Sequence, residues 1–489
     1  MTTTKSLFIL GAAAVLFATP AFAQQNGITP QLASRESTTA TTATTDSGGR
    51  GATADSSKKA AAPSSIISVV KELKVQGVRP NDQRGLNVFE SPKPADLPYQ
   101  GFRFDFGAAF TQQFQGLGHS NTAQPVTRTD AAGNEYNANQ LIRMGHGFNN
   151  AVANAYVDAQ LAKGIRVSMT GYLSARHHQE TWIKDGYLLV DDSPIQFAPL
   201  TTLMQYVTVK AGHFEVNYGD AHFRRTDNGN AMFNPLVGNY LMDAFTTSVG
   251  GEVYLRGRGN ADGLFAMGGM TNGEVRGTVL NPQKRSPAFI GKIGGDRQLT
   301  PDLRVRLTGS LLSQARSANQ TLYTGDRAGS RYYDVLENVT STEKDQAWSG
   351  SINPGISSEM HAAVVNPFVK FRGLELFGNF ERARGRSAVE IDGAAPVRQW
   401  NQNVYEGTYR FLRNRLYVSG RYNTAEGRLA GLTEDVSVNR TQVGGGWFIN
   451  PMILVKAEYV TQKYNDFPAT DIRNGGKFDG FMVEGAVAF

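Results

Sequence analysis

The sequence predicts an all-β fold, a transmembrane antiparallel β-barrel of about 16 strands, and three observations carry that reading. Some sixteen stretches alternate apolar with polar residues at the period of two that a one-faced strand requires. Short turns join them at one end and long polar loops at the other, the asymmetry of barrels in outer membranes. The chain closes on KFDGFMVEGAVAF, so that Phe481, Val483, Gly485, Val487 and Phe489 share one face to the last residue.

Taken in order, residues 1–23 begin MTTTKSLFILGAAAVLFATPAFA, with Lys5 as a positive start, an apolar run from Leu7 to Phe17, and a small-residue cleavage box at Ala21-Phe22-Ala23. That run is about 11 residues, short of the ~20 a spanning helix needs, so a secretory signal peptide is expected. Residues 24–65 are Thr, Ser, Ala and Gly with almost no large apolar side chains and predict a disordered periplasmic leader. Residues 66–100 read as a linker or docking segment. Within it Ile66 to Pro80 is mildly amphipathic and suits either a helix or a strand that plugs or docks on the folded domain.

The barrel is expected over 101–489. GFRFDFGAAFTQQF puts Phe102, Phe104, Phe106, Ala108, Phe110 and Phe114 on one face and Arg103, Asp105, Gly107, Thr111 and Gln113 on the other. A lipid-facing outside and a wet inside require that division. Strands are expected near 102–114, 150–161, 165–177, 182–190, 205–217, 245–257, 263–271, 287–297, 303–314, 360–372, 374–386, 398–411, 415–425, 437–449, 452–464 and 478–489. The stretch 182–190 is the least regular, which leaves fourteen and eighteen strands as alternatives. Short turns fall at Ala162-Lys163-Gly164, Arg372-Gly373, Arg413-Asn414 and Asn450-Pro451, and long loops near 115–149, 218–244, 272–286, 315–359, 387–397, 425–437 and 465–477. An unpaired edge in lipid would leave backbone polar groups unsatisfied. The last strand is therefore expected to close on the first, with Phe481, Val483, Val487 and Phe489 facing lipid.

Composition excludes several classes. There is no cysteine, hence no disulfide or thiolate metal site. The mean hydropathy of −0.33, with no second long apolar run, excludes a helical membrane protein. A formal charge of +6, or +5 without Lys5, gives no case for nucleic acid. Arginines number 33 against 16 lysines. Arg is the planar, permanently charged choice for carboxylates and phosphates, and a GC-rich genome is the competing explanation.

Once the apolar faces are turned outward, the inward charges follow. Expected pore-lining cations are Arg103, Arg166, Lys210, Lys292, Arg304, Arg306, Lys370, Arg410, Arg421 and Lys456, against Asp105, Asp158, Glu375, Glu381, Glu406, Glu458 and Glu484. That balance favours anions mildly, and paired structural charges on a wet wall are the alternative. The most irregular segment, Asn217 to Tyr254, holds Asp220, His222, Arg224, Arg225, Asp227 and Asp243 among Phe223, Phe233, Leu236, Tyr240 and Met242. A merely solvated loop would not need those apolar anchors. It is the third long loop, so Arg224 and Arg225 set against Asp220 and Asp227 are expected to line a constriction, the alternative being a cap or a subunit contact. The seven histidines form no metal-binding pair at helical spacing, and no GxSxG or GxGxxG stands in its strand–turn–helix context. No catalytic, cofactor or metal residues are expected, and the chain is expected not to be an enzyme.

The plan of residues 100–489 resembles the general bacterial porins and, in its Arg-rich strands and length, the phosphate-selective porin family. That resemblance implies a sixteen-stranded homotrimer passing small anions through a basic ladder, although the inward charge here is mixed and shows no dedicated lysine cluster. The aromatic C-terminus is similar to the C-terminal signal of outer-membrane proteins, which implies recognition by the barrel assembly machinery. The reading is a porin of the Gram-negative outer membrane, a passive ion- and solute-transport channel with mild anion preference. The alternative is a plugged or closed barrel acting as a surface adhesin, a scaffold or an outer-membrane hydrolase.

Overall fold

The computed structural model describes residues 72–91, 93, 99–174, 180–272, 285–325, 329–342 and 347–489. The expected signal peptide (1–23), the leader (24–65) and residues 66–71 lie outside the described residues. The strands are β1 (Arg103–Ser120), β2 (Val152–Ala162), β3 (Ile165–Ser174), β4 (Glu180–Val190), β5 (Val207–Glu215), β6 (Thr247–Arg256), β7 (Leu264–Thr271) and β8 (Ala288–Thr300). They continue as β9 (Leu303–Gln314), β10 (Glu359–Phe371), β11 (Leu374–Arg386), β12 (Arg398–Phe411), β13 (Leu416–Gly427), β14 (Val436–Asn450), β15 (Ile453–Asn465) and β16 (Lys477–Ala488). Each pairs antiparallel with the next, and a two-residue extension of β2, Gly147–Phe148, follows β1.

The ring closes where β16 returns to β1, in register from Ala109↔Ala488 to Ser120↔Lys477. Phe489 completes it, its N–H donating to Ala108 O at 2.9 Å and its carbonyl accepting from Ala108 N–H at 3.0 Å. These sixteen strands are the number read from the alternation, and the irregular stretch 182–190 is a full member, β4. Closure removes every edge, which is how a sheet satisfies its backbone in a membrane.

Alternation sets the two faces. Outward Phe102, Phe104, Phe106 and Phe110 on and beside β1 are exposed, whereas inward Asp105, Thr111 and Gln113 are buried. Along β9 the outward set Leu303, Val305, Leu307, Gly309 and Leu311 spans nine residues. At ~3.4 Å per residue and a tilt near 40° that is roughly 22 Å, the height of an outer-membrane apolar band.

Three pieces of chain occupy the inside. Residues 72–91 enter from the short-turn rim, where Gln83 N–H donates to Pro451 O at 2.9 Å and Arg166 donates to Gln76 O at 2.6 Å. The connection between β5 and β6, residues 216–246, folds inward, as does the one between β9 and β10, described over 315–325, 329–342 and 347–358. Val237, Leu241 and Met242 of the first pack with Leu322, Tyr332, Val335 and Ile352 of the second and with the wall residues Met360, Trp400, Val438 and Phe478. This apolar core inside the barrel fills the half toward the long loops. The two loops meet at Gly238, where a Cβ would stand 2.0 Å from Tyr332 Oη.

Candidate functional site: the charged lumen

Inward side chains of the wall meet polar groups of the three inserted pieces. On one side of residues 216–246 the contact is dry and paired. Arg224 donates to Glu406 Oε1 at 2.7 Å and to Asn87 Oδ1 at 2.5 Å. Arg225 forms a two-pronged pair with Asp243, at 2.7 and 2.5 Å. Asp220 accepts from Lys292 and from Arg306, each at 2.8 Å. Those same two cations also hold Glu90 of the N-terminal segment, at 3.0 and 2.9 Å.

The expected opposition of Arg224 and Arg225 to Asp220 and Asp227 is therefore not the pairing found. Asp227 stands 4.0 Å from Arg225 but 2.8 Å from Lys184, and also accepts from Tyr172. Asp220 and Arg224 are buried away from open space, whereas Arg225 and Asp227 border the cavity described below. The reason is partner geometry: a loop charge that reaches the wall takes the nearest opposite charge there, not its neighbour in sequence.

The expected lining residues divide in the same way. Lys292, Arg410, Arg421 and Lys456 face inward, but their charge is taken up by the inserted chain and by wall carboxylates. Arg410 pairs with Glu375 at 3.0 Å, with Lys370 3.6 Å from the same carboxylate. Lys456 donates to the carbonyls of Ala231, Asn234 and Leu236 at 2.7–3.0 Å and pairs with Glu484 at 2.8 Å. These are corrections to a pore-lining role: alternation fixes which way a side chain points, not whether water or protein lies there. Arg103, Arg166, Lys210, Arg304 and Arg306 do border open space.

That space is off-centre. A cavity of about 220 Å³ lies between the wall of β2 to β6, residues 217–233 and residues 78–91. Its charged lining is Arg79, Arg166, Lys184, Lys210, Arg225 and Arg256 against Glu90, Asp158, Asp185, Glu215 and Asp227. Phe89, Glu90 and Arg256 also border a larger cavity of about 880 Å³ at the short-turn rim, whose cations are Lys93, Arg256, Arg258, Arg304 and Arg306 against Glu90, Asp262 and Asp296. A third, of about 360 Å³, adds Lys74, Arg103 and Lys163 against Asp191 and Asp192.

Several buried polar atoms on the inner cavity's wall have no hydrogen-bond partner among the described residues: Arg166 Nε, Asp185 Oδ1, Thr208 Oγ1 and Arg256 Nε. Among the described residues no group of three or more His, Asp or Glu side chains is set to hold a metal ion.

Burial alone would raise the carboxyls of Asp220 and Glu90, but Lys292 and Arg306 outweigh it and hold both below the usual carboxylate range. Burial also disfavours the charged form of His222, against the pull of Glu215. At the rim, Lys93 donates to the carbonyls of Asp191 and Val207 at 2.5 and 2.7 Å, and burial pushes its ammonium down to about 8.

Sequence reasoning missed Lys184, Arg79, Glu90, Arg331 and Arg440. Lys184 and Asp185 are both buried because the β3–β4 register shifts between Thr170 and Gly171, a bulge that breaks the alternation. Arg331 and Arg440 belong to the packing of the second inward loop: Arg331 pairs with Glu484 at 3.0 Å, and Arg440 donates to Gly350 O. The available signal was the set of apolar anchors Leu322, Tyr332, Val335, Leu336, Ile352 and Ile356 in a nominal loop, the same kind of signal as in 217–254.

No family model matches the chain, and no curated protein matches it in sequence. Among solved structures it is similar to an anion-selective porin from Comamonas acidovorans, with 10% identity, a TM-score of 0.47, and 79% of this chain and 100% of that chain covered. It is similar also to OprB of Pseudomonas putida at high pH (11%, 0.46, 79% and 94%) and to the outer membrane channel DcaP of Acinetobacter baumannii (9%, 0.43, 80% and 98%). Likeness at this level is architectural, and the functional reading that follows rests on the residues of this chain.

Proposed function

We propose that the protein is a passive channel of the Gram-negative outer membrane for small hydrophilic solutes, with mild anion preference. The observation that carries this reading is the charged inner cavity of about 220 Å³ adjoining a rim vestibule of about 880 Å³. The charged lining of the inner cavity suits hydrated or polar solutes, and the excess of cations over acids at the rim concentrates anions there. The outward apolar band suits embedding in lipid. Solutes enter along the wall of β2 to β6, where the cavity lies, and must pass the packed half toward the long loops. In this reading the driving force is the solute gradient, with no reaction and no cofactor. The partners are outer-membrane lipid, the barrel assembly machinery acting on the Phe489 terminus, and two further copies in a homotrimer.

The test is single-channel conductance of the refolded protein in a planar bilayer under a salt gradient. Discrete steps of small conductance with an anion-selective reversal potential are expected. The apolar core inside the barrel favours the second reading, a plugged barrel serving as an adhesin or scaffold. A folded barrel silent at all voltages would establish that reading instead.

A further inference from the structure

On the outer wall one strand carries a row of like charge that a lipid-facing band does not explain. Along β11 every second residue faces out: Leu374, Leu376, Gly378, Phe380, Arg382, Arg384 and Arg386. Toward the long-loop end the row turns from apolar to three successive arginines. Cross-strand register places His361 beside Arg384, Glu359 beside Arg386, and Ser313 beside His361. On the other side Asn401 faces Arg382 and Gln399 faces Arg384. A band of donors, Ser313, His361, Arg384 and Gln399, thus crosses four strands at one height.

The charges in this band are unbalanced. Glu359 is taken by Arg386 at 2.6 Å, and Arg382 donates to the neutral Gln399. Arg384 is exposed and makes no hydrogen bond or ion pair among the described residues. The nearby acids on other elements are Glu426, opposite Asn401 on β13, and Asp392, which is paired with Arg316 at 3.4 Å. Like charges stacked along one strand face repel, so the row is stabilised by an anion seated across it. The guanidinium fork matches a phosphate in two prongs, better than a point charge would.

We infer that this face binds the phosphate of a lipid headgroup in the leaflet on the long-loop side. The occupant follows from continuity: the arginines begin one outward step beyond Phe380, where the apolar band ends and headgroups must lie. Acyl chains lie along Leu376, Phe380 and Tyr405 while the phosphate reaches Arg382 and Arg384. The inference rests on the membrane placement proposed above and not on conduction, so a silent barrel leaves it intact.

The experiment compares the full chain with the Arg382→Gln, Arg384→Gln, Arg386→Gln triple variant in maltoside micelles, reading bound lipid by native mass spectrometry. The probes are diphosphoryl lipid A, the same lipid without its phosphates, and inorganic phosphate. The wild type is expected to hold the phosphorylated lipid more than about tenfold tighter than either the stripped lipid or the variant does. Inorganic phosphate at the lipid's concentration is expected to leave it bound. Equal binding by the folded variant, or equal binding of both lipids, overturns the inference. Displacement by inorganic phosphate overturns the lipid source and assigns the face to a free anion. Where the triple variant does not fold, Arg384→Gln alone is read, and an affinity unchanged from wild type overturns the inference.

Discussion

Arg421 on β13 donates to Glu406 on β12 at 2.6 Å, and the same guanidinium holds Gly238 O at 2.8 Å and Asn234 Oδ1 at 2.9 Å. One wall side chain thus neutralises a buried acid and pins the inward loop. Removing one partner of a buried pair costs about 3–5 kcal/mol, because the other charge is stranded. Arg421→Ala is expected to lower the midpoint of the heat-induced mobility shift on gels and to raise single-channel conductance as residues 234–238 loosen. An unchanged midpoint and conductance would show that the loop is held elsewhere.

Glu90 is shared by Lys292 and Arg306, and Asp220 bridges the same two cations at 2.8 Å each. Glu90→Gln leaves one positive charge uncompensated beside the cavity. The reversal potential in a salt gradient is expected to shift toward stronger anion selectivity, with total conductance changed less than about twofold. A shift toward cations would place the conducting path away from Glu90.

Selectivity should also follow Lys93, whose ammonium has its pKa at about 8. Anion preference is expected to fall as pH rises through that value, and Lys93→Met to abolish the step. For stability the sign is opposite. The folded value lies below the unfolded one, so the unfolded chain binds more protons between them, and stability rises as pH climbs from about 8 toward ~10.4. Paired selectivity and denaturation titrations read the two effects separately.

Glu337, in the second inward loop, is pushed up to about 7 by burial and by Asp334, with Arg473 opposing. Here the folded chain holds a proton that the unfolded one has lost, so stability falls as pH rises from ~4.3 to about 7. Glu337→Gln is expected to flatten that slope in a pH series of thermal midpoints. A wild-type slope of the other sign would remove Glu337 as the titrating group.

Phe489 contributes two backbone bonds to the closing seam and an exposed ring at the short-turn rim. Phe489→Ser keeps the bonds and loses the ring. Refolding in detergent is expected to be nearly unchanged, while the folded fraction in cells drops severalfold through poorer recognition by the assembly machinery. Equal losses in both would make the ring a stability element instead.

The sixteen strands were legible because one greasy face must alternate wherever it meets lipid, as Leu303 to Leu311 do. The bulge at Lys184 was not, since a single extra residue changes the face without changing composition. The inward course of 216–246 could be suspected from Phe223, Leu236, Tyr240 and Met242 in a nominal loop. Its pairings could not, because Asp220 finds Arg306 and Arg224 finds Glu406, 86 and 182 residues away. Residues 315–358 carried the same signal in Leu322, Val335, Leu336 and Ile352, but diluted among Ser, Gly and charged residues over a longer stretch.

The last hairpin, β15 to β16, carries Lys456, Glu458 and Glu484. Lys456 holds the carbonyls of residues 231–236, and Glu458 accepts from the N–H groups of Val237 and Gly238 at 2.7 and 3.2 Å. The strand pair that seals the ring is therefore also the pair that grips the chain inside it. Residues 216–246 connect β5 and β6 at the long-loop rim, yet they are anchored to strands at the other end of the sequence. The contents of the lumen and the integrity of its wall are thus tied to the same two strands.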